Sequence, residues 1–158
     1  MPYVNLPSDG LPIYYEEYGA EHRGFSTIVV CHGGPGLSDH RLYRRFWSDL
    51  PRSGNHVVLF DMRGHGLSED GDPSKWTLAQ WAEDLYQFCE ALKIKKPIIA
   101  SVSFGGWVSL AYATNPAYSG QAAGLILCNT EARLDFKAQS EAYRARALKL
   151  GKGDVEAG

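Results

Sequence analysis

The chain has 158 residues, 44% hydrophobic and 22% charged, which suits one folded domain with a real core and excludes a disordered chain. Its 16 basic and 18 acidic side chains leave a formal net charge of −2 with no basic stripe, so nucleic acid is not an expected partner. No apolar run approaches the roughly 18–20 residues that span a bilayer, "MPYVNLPSDG" lacks the basic-then-apolar order of a signal peptide, and three widely spaced cysteines suit a reducing cytoplasm better than a disulfide framework or a zinc site.

In chain order, "YVNLP" and "LPIYYEEYG" flank the turn residues "SDG", which predicts a hairpin over residues 3–19. "TIVVC" (27–31) is a short continuous apolar run of the kind found in strands buried on both faces of a parallel sheet. "HGGPG" (32–36) follows at once, and residues 40–50 carry Leu42, Tyr43, Phe46, Trp47 and Leu50 at helical spacing. "HVVLF" (56–60) is the next buried strand, followed by the loop "DMRGHGLS" (61–68). Residues 77–93 give the clearest helix, with Leu78, Trp81, Ala82, Leu85, Phe88, Cys89 and Leu92 on one face. Thr77 and Gln80 have capping-box spacing, and Trp76 and Trp81 stand where a hydrophobic staple would put them. "PIIASV" (97–102) is a strand, a helix from about 104 to 115 should stop before Pro116, and "AGLILCN" (123–129) is a further strand. Residues 131–150 are charged, Ala-rich helix formers. Most aromatics of 40–47 and 76–88, and Trp107, are expected in the core.

Strands alternating with helices make an α/β domain with a mainly parallel sheet. Ligands in such sheets bind beyond the carboxyl ends of the strands. "HGGPG", "DMRGHGLS" and "SVSFGG" (101–106) each follow a strand directly, so all three should gather on one sheet edge.

In "SVSFGG" a strand ends, turns sharply and gives way to a helix. Small residues two positions to either side of the turning residue let strand and helix pass closely. Ser103 has Ser101 before it and Gly105 after it; Ser101 has Ile99 and Ser103. Ser103 is therefore the candidate nucleophile and Ser101 a packing residue whose hydroxymethyl group must fit or bond locally. A serine attacking a carbonyl creates an oxyanion that needs preorganised N–H donors. The N–H of Phe104, at the helix start, is one expected donor. The N–H of Gly34 is the other, because the glycines of its loop allow close backbone approach. Gly33 and Pro35 flank it and are expected to line the substrate. "HGGPG" is not read as a phosphate loop, since no Gly-Lys-Ser/Thr follows. His32 is expected to orient its own loop, and Asp61, Arg63 and Ser68 to bond within theirs. His65 is expected near the pocket, with the role of catalytic base left open.

With these three motifs in this order, residues 10–130 resemble the N-terminal half of the α/β-hydrolase superfamily. "HGGPG" is similar to the motif of prolyl aminopeptidases and their lactonase and esterase relatives. "DMRGHGLS" looks like the family's Asp-x-Arg-Gly-x-Gly-x-Ser loop, and "SFGG" also resembles carbon–carbon bond hydrolases and enol-lactonases. The resemblance implies an α/β-hydrolase fold with an N-terminal hairpin and without its last strands. Residues 1–130 would be the N-terminal part of the core and 131–158 the start of a helical lid. It implies a serine hydrolase of small carboxylic esters, lactones or amides, with no metal or organic cofactor. A general esterase or lactonase ranks ahead of a prolyl aminopeptidase, whose usual patterns around the nucleophile and in the Asp-x-Arg-Gly loop differ from those here.

A serine hydroxyl needs a base, and in this fold the chain order is Ser, then Asp or Glu, then His. The five histidines, His22, His32, His40, His56 and His65, all precede Ser103. Downstream acids exist (Glu131, Asp135, Glu141, Asp154 and Glu156), but no histidine does. The expected source of the missing acid and His is a continuation of the same protein or a C-terminal partner chain. The non-enzyme alternative is an inactive fragment or a ligand-binding pseudo-hydrolase.

Overall fold

The computed structural model describes residues 2–23, 26–132, 141 and 145. Most of the expected lid segment, 131–158, lies outside the described residues. Six strands form one sheet: β1 (Tyr3–Asn5), β2 (Pro12–Tyr18), β3 (Thr27–Cys31), β4 (His56–Phe60), β5 (Ile98–Val102) and β6 (Gly124–Cys128), in the order β1-β2-β4-β3-β5-β6. The hairpin forms as its sequence predicts, with Val4 opposite Ile13, and β2 pairs antiparallel to β4. The other pairings are parallel, with Val29 beside Val58 and Ile99, and Ala100 beside Ile126.

The continuous apolar strands are buried on both faces because successive side chains point opposite ways. Val29 and Cys31 of β3, Val58 and Phe60 of β4 and Ile99 of β5 face α2 (Leu78–Ala91) and α3 (Phe104–Thr114), where Leu85, Phe88, Val108 and Tyr112 complete the larger core. Ile28, Val30, Val57, Leu59 and Ala100 face the other way, onto Trp47 of α1 (His40–Trp47). α2 starts at Thr77, whose hydroxyl accepts the Gln80 N–H at 3.2 Å. The reciprocal half of the capping box does not form, since the Thr77 N–H donates to the Lys75 carbonyl at 2.9 Å, and the Gln80 side-chain NH2 donates to Asp84. Asn115 ends α3 in an extended conformation ahead of Pro116.

The expectation that the aromatics of α1 and the start of α2 are core holds only in part. Trp47 is buried, but Phe46 is 69% exposed, as is its neighbour on that face Leu42, and Trp76 is partly exposed where it covers Gly64. An eight-residue helix on one sheet face can bury one narrow stripe, and His40 and Trp47 occupy it. Trp107 is half-buried, with its indole N–H donating to the Glu131 carbonyl. β6 is an edge strand of the described sheet, at the end opposite β1, and Ile126 and Leu127 are exposed on it. No helix of the described residues is long and apolar enough to cross a membrane.

Candidate active site

Ser103 stands alone between β5 and α3 with φ 51° and ψ −118°. A non-glycine residue rarely adopts this conformation, and holding it costs about 1–3 kcal/mol. The neighbours enforce it: the Ser103 N–H donates to the Cys128 carbonyl at 2.9 Å, and its own carbonyl accepts the Gly106 N–H at 2.9 Å. Ser103 is exposed, and its hydroxyl makes no capping bond to the helix it precedes. Ser101 is fully buried, with its hydroxyl donating to the Ile126 carbonyl at 3.2 Å. That bond accommodates the extra hydroxymethyl group. Gly105 makes the close passage possible, since a Cβ there would lie 2.5 Å from the carbonyl oxygens of Cys31 and His32. Gly106 likewise leaves no room for a side chain beside Thr130.

The HGGPG loop comes to the same place. A Cβ on Gly33 would lie 3.5 Å from the Cβ of Ser103 and 2.7 Å from the Tyr43 hydroxyl. Gly34 has φ 149°, and the peptide from Gly34 to Pro35 is cis. Pro35 is exposed at the tip. Among the described residues, neither the Gly34 N–H nor the Phe104 N–H donates a hydrogen bond. Phe104 opens α3, where unpaired N–H groups and the helix dipole favour negative charge.

Side chains set the loop's shape. The Gly33 N–H donates to the Tyr43 hydroxyl at 3.1 Å, and the Gly36 N–H donates to His65 Nε2 at 3.0 Å. His32 accepts the Met62 N–H on Nε2 at 3.1 Å, so its Nδ1 carries the proton and donates to the Gly33 carbonyl at 2.6 Å. Burial pushes the His32 pKa down to about 4, and charge on His65 would add to that, against the pull of the Gly33 carbonyl. The sequence places Tyr43 on a helix and gives no sign that its hydroxyl reaches back to the loop.

The DMRGHGLS loop is a bonded scaffold, but Asp61, Arg63 and Ser68 do not bond only within it as expected. They also tie it to His40, to Asp84 and Asp9, and to Tyr14, because buried polar groups need partners from whatever packs against them. Both carboxylate oxygens of buried Asp61 lie 2.8 Å from His40 Nδ1, and they also accept the N–H groups of His40 and Leu67. Ser68 donates to the Asp61 carbonyl at 2.6 Å and accepts the Tyr14 N–H. Arg63 forms a two-pronged pair with Asp84, at 2.8 and 2.9 Å, and reaches Asp9 at 2.9 Å. The hydrogen bond to Asp84 chiefly raises the Arg63 pKa, so its charge is fixed. Asp39, His40 and Asp61 bring ligand atoms within 4.8 Å of one another. His40 and Asp61 bond each other, and Asp39 accepts the Arg41 backbone N–H and guanidinium, which accounts for that cluster.

Four of the five histidines have both ring nitrogens engaged by groups other than Ser103. His32 and His65 have both ring nitrogens engaged within the loops. His40 is held by Asp61 and Arg44, and His56 by Thr27 and Glu17. His22 follows the carboxyl end of β2, which pairs with the start of β4 and so lies at the opposite edge of the sheet from Ser103. For His65, left open as a base, the Nε2 lone pair is taken by the Gly36 N–H in this arrangement.

Residues 26–155 match the family described as alpha/beta hydrolase fold. The chain belongs to that family. It is 27% identical over 144 residues to a proline iminopeptidase of Lactiplantibacillus plantarum, covering 90% of this chain and 50% of the relative. It is 32% identical over 130 residues to a proline iminopeptidase of Thermoplasma volcanium, covering 79% of this chain and 40% of the relative. This hydrolase-fold chain thus spans half or less of the length of those relatives. Among solved structures it resembles a thermophilic esterase from Thermogutta terrifontis, with a TM-score of 0.74 and 28% identity over 95% of this chain and 53% of that one.

Proposed function

We propose that this chain carries the nucleophile and oxyanion hole of a serine hydrolase acting on small carboxylic esters, lactones or amides. The observation that carries the reading is Ser103: exposed, held at φ 51° on a strand-to-helix turn, with no hydrogen bond at its hydroxyl among the described residues, and facing the HGGPG loop. In this reading the Ser103 oxygen attacks the substrate carbonyl and loses its proton to a histidine. The N–H groups of Gly34 and Phe104 hold the oxyanion as the tetrahedral intermediate forms. Collapse releases the alcohol or amine, protonated by the same histidine, and leaves an acyl-Ser103 ester that water hydrolyses. Gly33 and Pro35 line the acyl group. The histidine and its acid partner come from outside these 158 residues, in a continuation or a partner chain, because the chain's own histidines are engaged or remote. A cytoplasmic setting belongs to the same reading, with Cys31 and Cys89 as buried free thiols.

A second reading, a proline iminopeptidase, is favoured by the names of the curated relatives. Turnover of p-nitrophenyl esters, a γ-lactone and proline p-nitroanilide by the intact protein separates the two. Ester or lactone turnover exceeding that of the anilide, lost on Ser103→Ala, is the expected result. Preference for the anilide selects the second reading. Full activity from the 158-residue chain alone would overturn the external histidine.

A further inference from the structure

His65 lies where the two halves of the proposed oxyanion hole meet. The Gly36 N–H donates to its Nε2 at 3.0 Å, and its Nδ1 stands 2.9 Å from the Arg63 carbonyl oxygen. A backbone N–H can only donate and a carbonyl can only accept. The ring is therefore neutral with its proton on Nδ1, because a proton on Nε2 would set one N–H against another. The same Nε2 lies 3.4 Å from where a Cβ on Gly34 would be. The ring also stacks over that of Phe104, with centroids 6.4 Å apart and planes at 28°. Trp81 meets it edge-on, and the Trp81 indole N–H donates to the same Arg63 carbonyl at 3.0 Å. His32 closes the box with its centroid 5.0 Å away.

We propose that His65 is a positioning residue for the oxyanion hole, anchoring the HGGPG loop through Gly36 while its ring bears on Phe104. The proposal rests on the reading of Gly34 and Phe104 as the oxyanion donors. Gly34 and Gly36 have φ of 149° and 71°, so the loop has no regular structure to hold it. Tyr43 and His32 fix it at Gly33, and His65 fixes it at Gly36. Gly34 lies between these anchors. Without the second one, the Gly34 N–H is held from one side only. Misplacing a catalytic group by about 1 Å costs on the order of 10²-fold in rate. His65 does not touch substrate in this arrangement, so the loss falls on kcat and not on KM.

The test compares His65→Phe with His65→Gln in the intact protein. Phe keeps a ring in the aromatic box and removes the acceptor, whereas Gln offers a carbonyl oxygen to the Gly36 N–H. His65→Phe should lose about 10²-fold in kcat on a p-nitrophenyl ester, with KM within about threefold of wild type. His65→Gln should recover at least about tenfold of that loss. Unchanged kcat in His65→Phe, or a Gln variant no better than Phe, overturns the proposal. Imidazole ¹⁵N NMR of the wild type gives an independent arm that stands even where His65→Phe fails to fold. His65 should be protonated on Nδ1 and bare on Nε2 at neutral pH, and a proton on Nε2 overturns the anchor. Failure of the hydrolase reading looks different: the wild type would be inert toward every ester with the tautomer in place, and the proposal would fall with it.

Discussion

Mild acid should weaken this fold through His32. Its ring is 1% exposed, and burial holds its pKa near 4, below the ordinary 6.5. In the unfolded chain His32 takes up a proton as pH falls through about 6.5, whereas the folded chain resists until about pH 4. Between those values the unfolded state binds more protons, so stability falls as pH falls. The loss is nil above about pH 6.5, grows down to about pH 4, and levels off at ~3 kcal/mol. About 2 kcal/mol of it accrues between pH 7.5 and pH 5. The lowered carboxylates act further down. Asp39, held at about 2 chiefly by its hydrogen bond from Arg41, stabilises the fold above its ordinary 3.8 and loses that contribution as pH falls through about 2. For Glu16 and Glu17, burial pulls upward, but bonds from Arg44 and Arg23 bring each below 4.5, so their contributions also fade only below that value. The assay is urea unfolding at pH 7.5 and pH 5.0, for wild type and for His32→Gln. Gln offers the Met62 N–H an acceptor and does not titrate. Wild type should lose about 2 kcal/mol more than the variant across this interval. Equal losses would refute the linkage.

Three substitutions test how the site is supported. Gly105→Ala would put a methyl 2.5 Å from two backbone carbonyls, so it should destabilise by about 1–3 kcal/mol and shift the thermal midpoint down. Arg63→Met strips Asp84 of its buried partner, and chemical denaturation should show a loss of about 3–5 kcal/mol. Lys93 sits at φ 57° just past α2, where the Ile94 N–H closes back on the Cys89 carbonyl and the Lys93 N–H on that of Glu90. Glycine suits that left-handed position, so Lys93→Gly should raise stability by about 0.5–1 kcal/mol in the same assay.

The strands were legible because burial on both faces favours unbroken apolar runs, and "TIVVC" and "HVVLF" match β3 and β4 residue for residue, their two polar residues, Thr27 and His56, being bonded to each other. The elbow was legible because close packing of α3 on β3 tolerates only small residues, which singled out Ser103 over Ser101. The orientation of α1 was not. Leu42 and Phe46 follow helical spacing, yet spacing does not tell which face meets the sheet, and they point to solvent. The anchoring of the HGGPG loop was also hidden, because Tyr43 and His65 reach it across 10 and 29 residues of chain. The imidazole tautomers follow only from which backbone groups face them.

The central claim is that Ser103 is the nucleophile. The most direct measurement treats the intact protein with a fluorophosphonate and maps the adduct by peptide mass spectrometry. A single adduct on Ser103, absent in Ser103→Ala and kept in Ser101→Ala, is the predicted result. An unlabelled protein, or an adduct that survives Ser103→Ala, would contradict it.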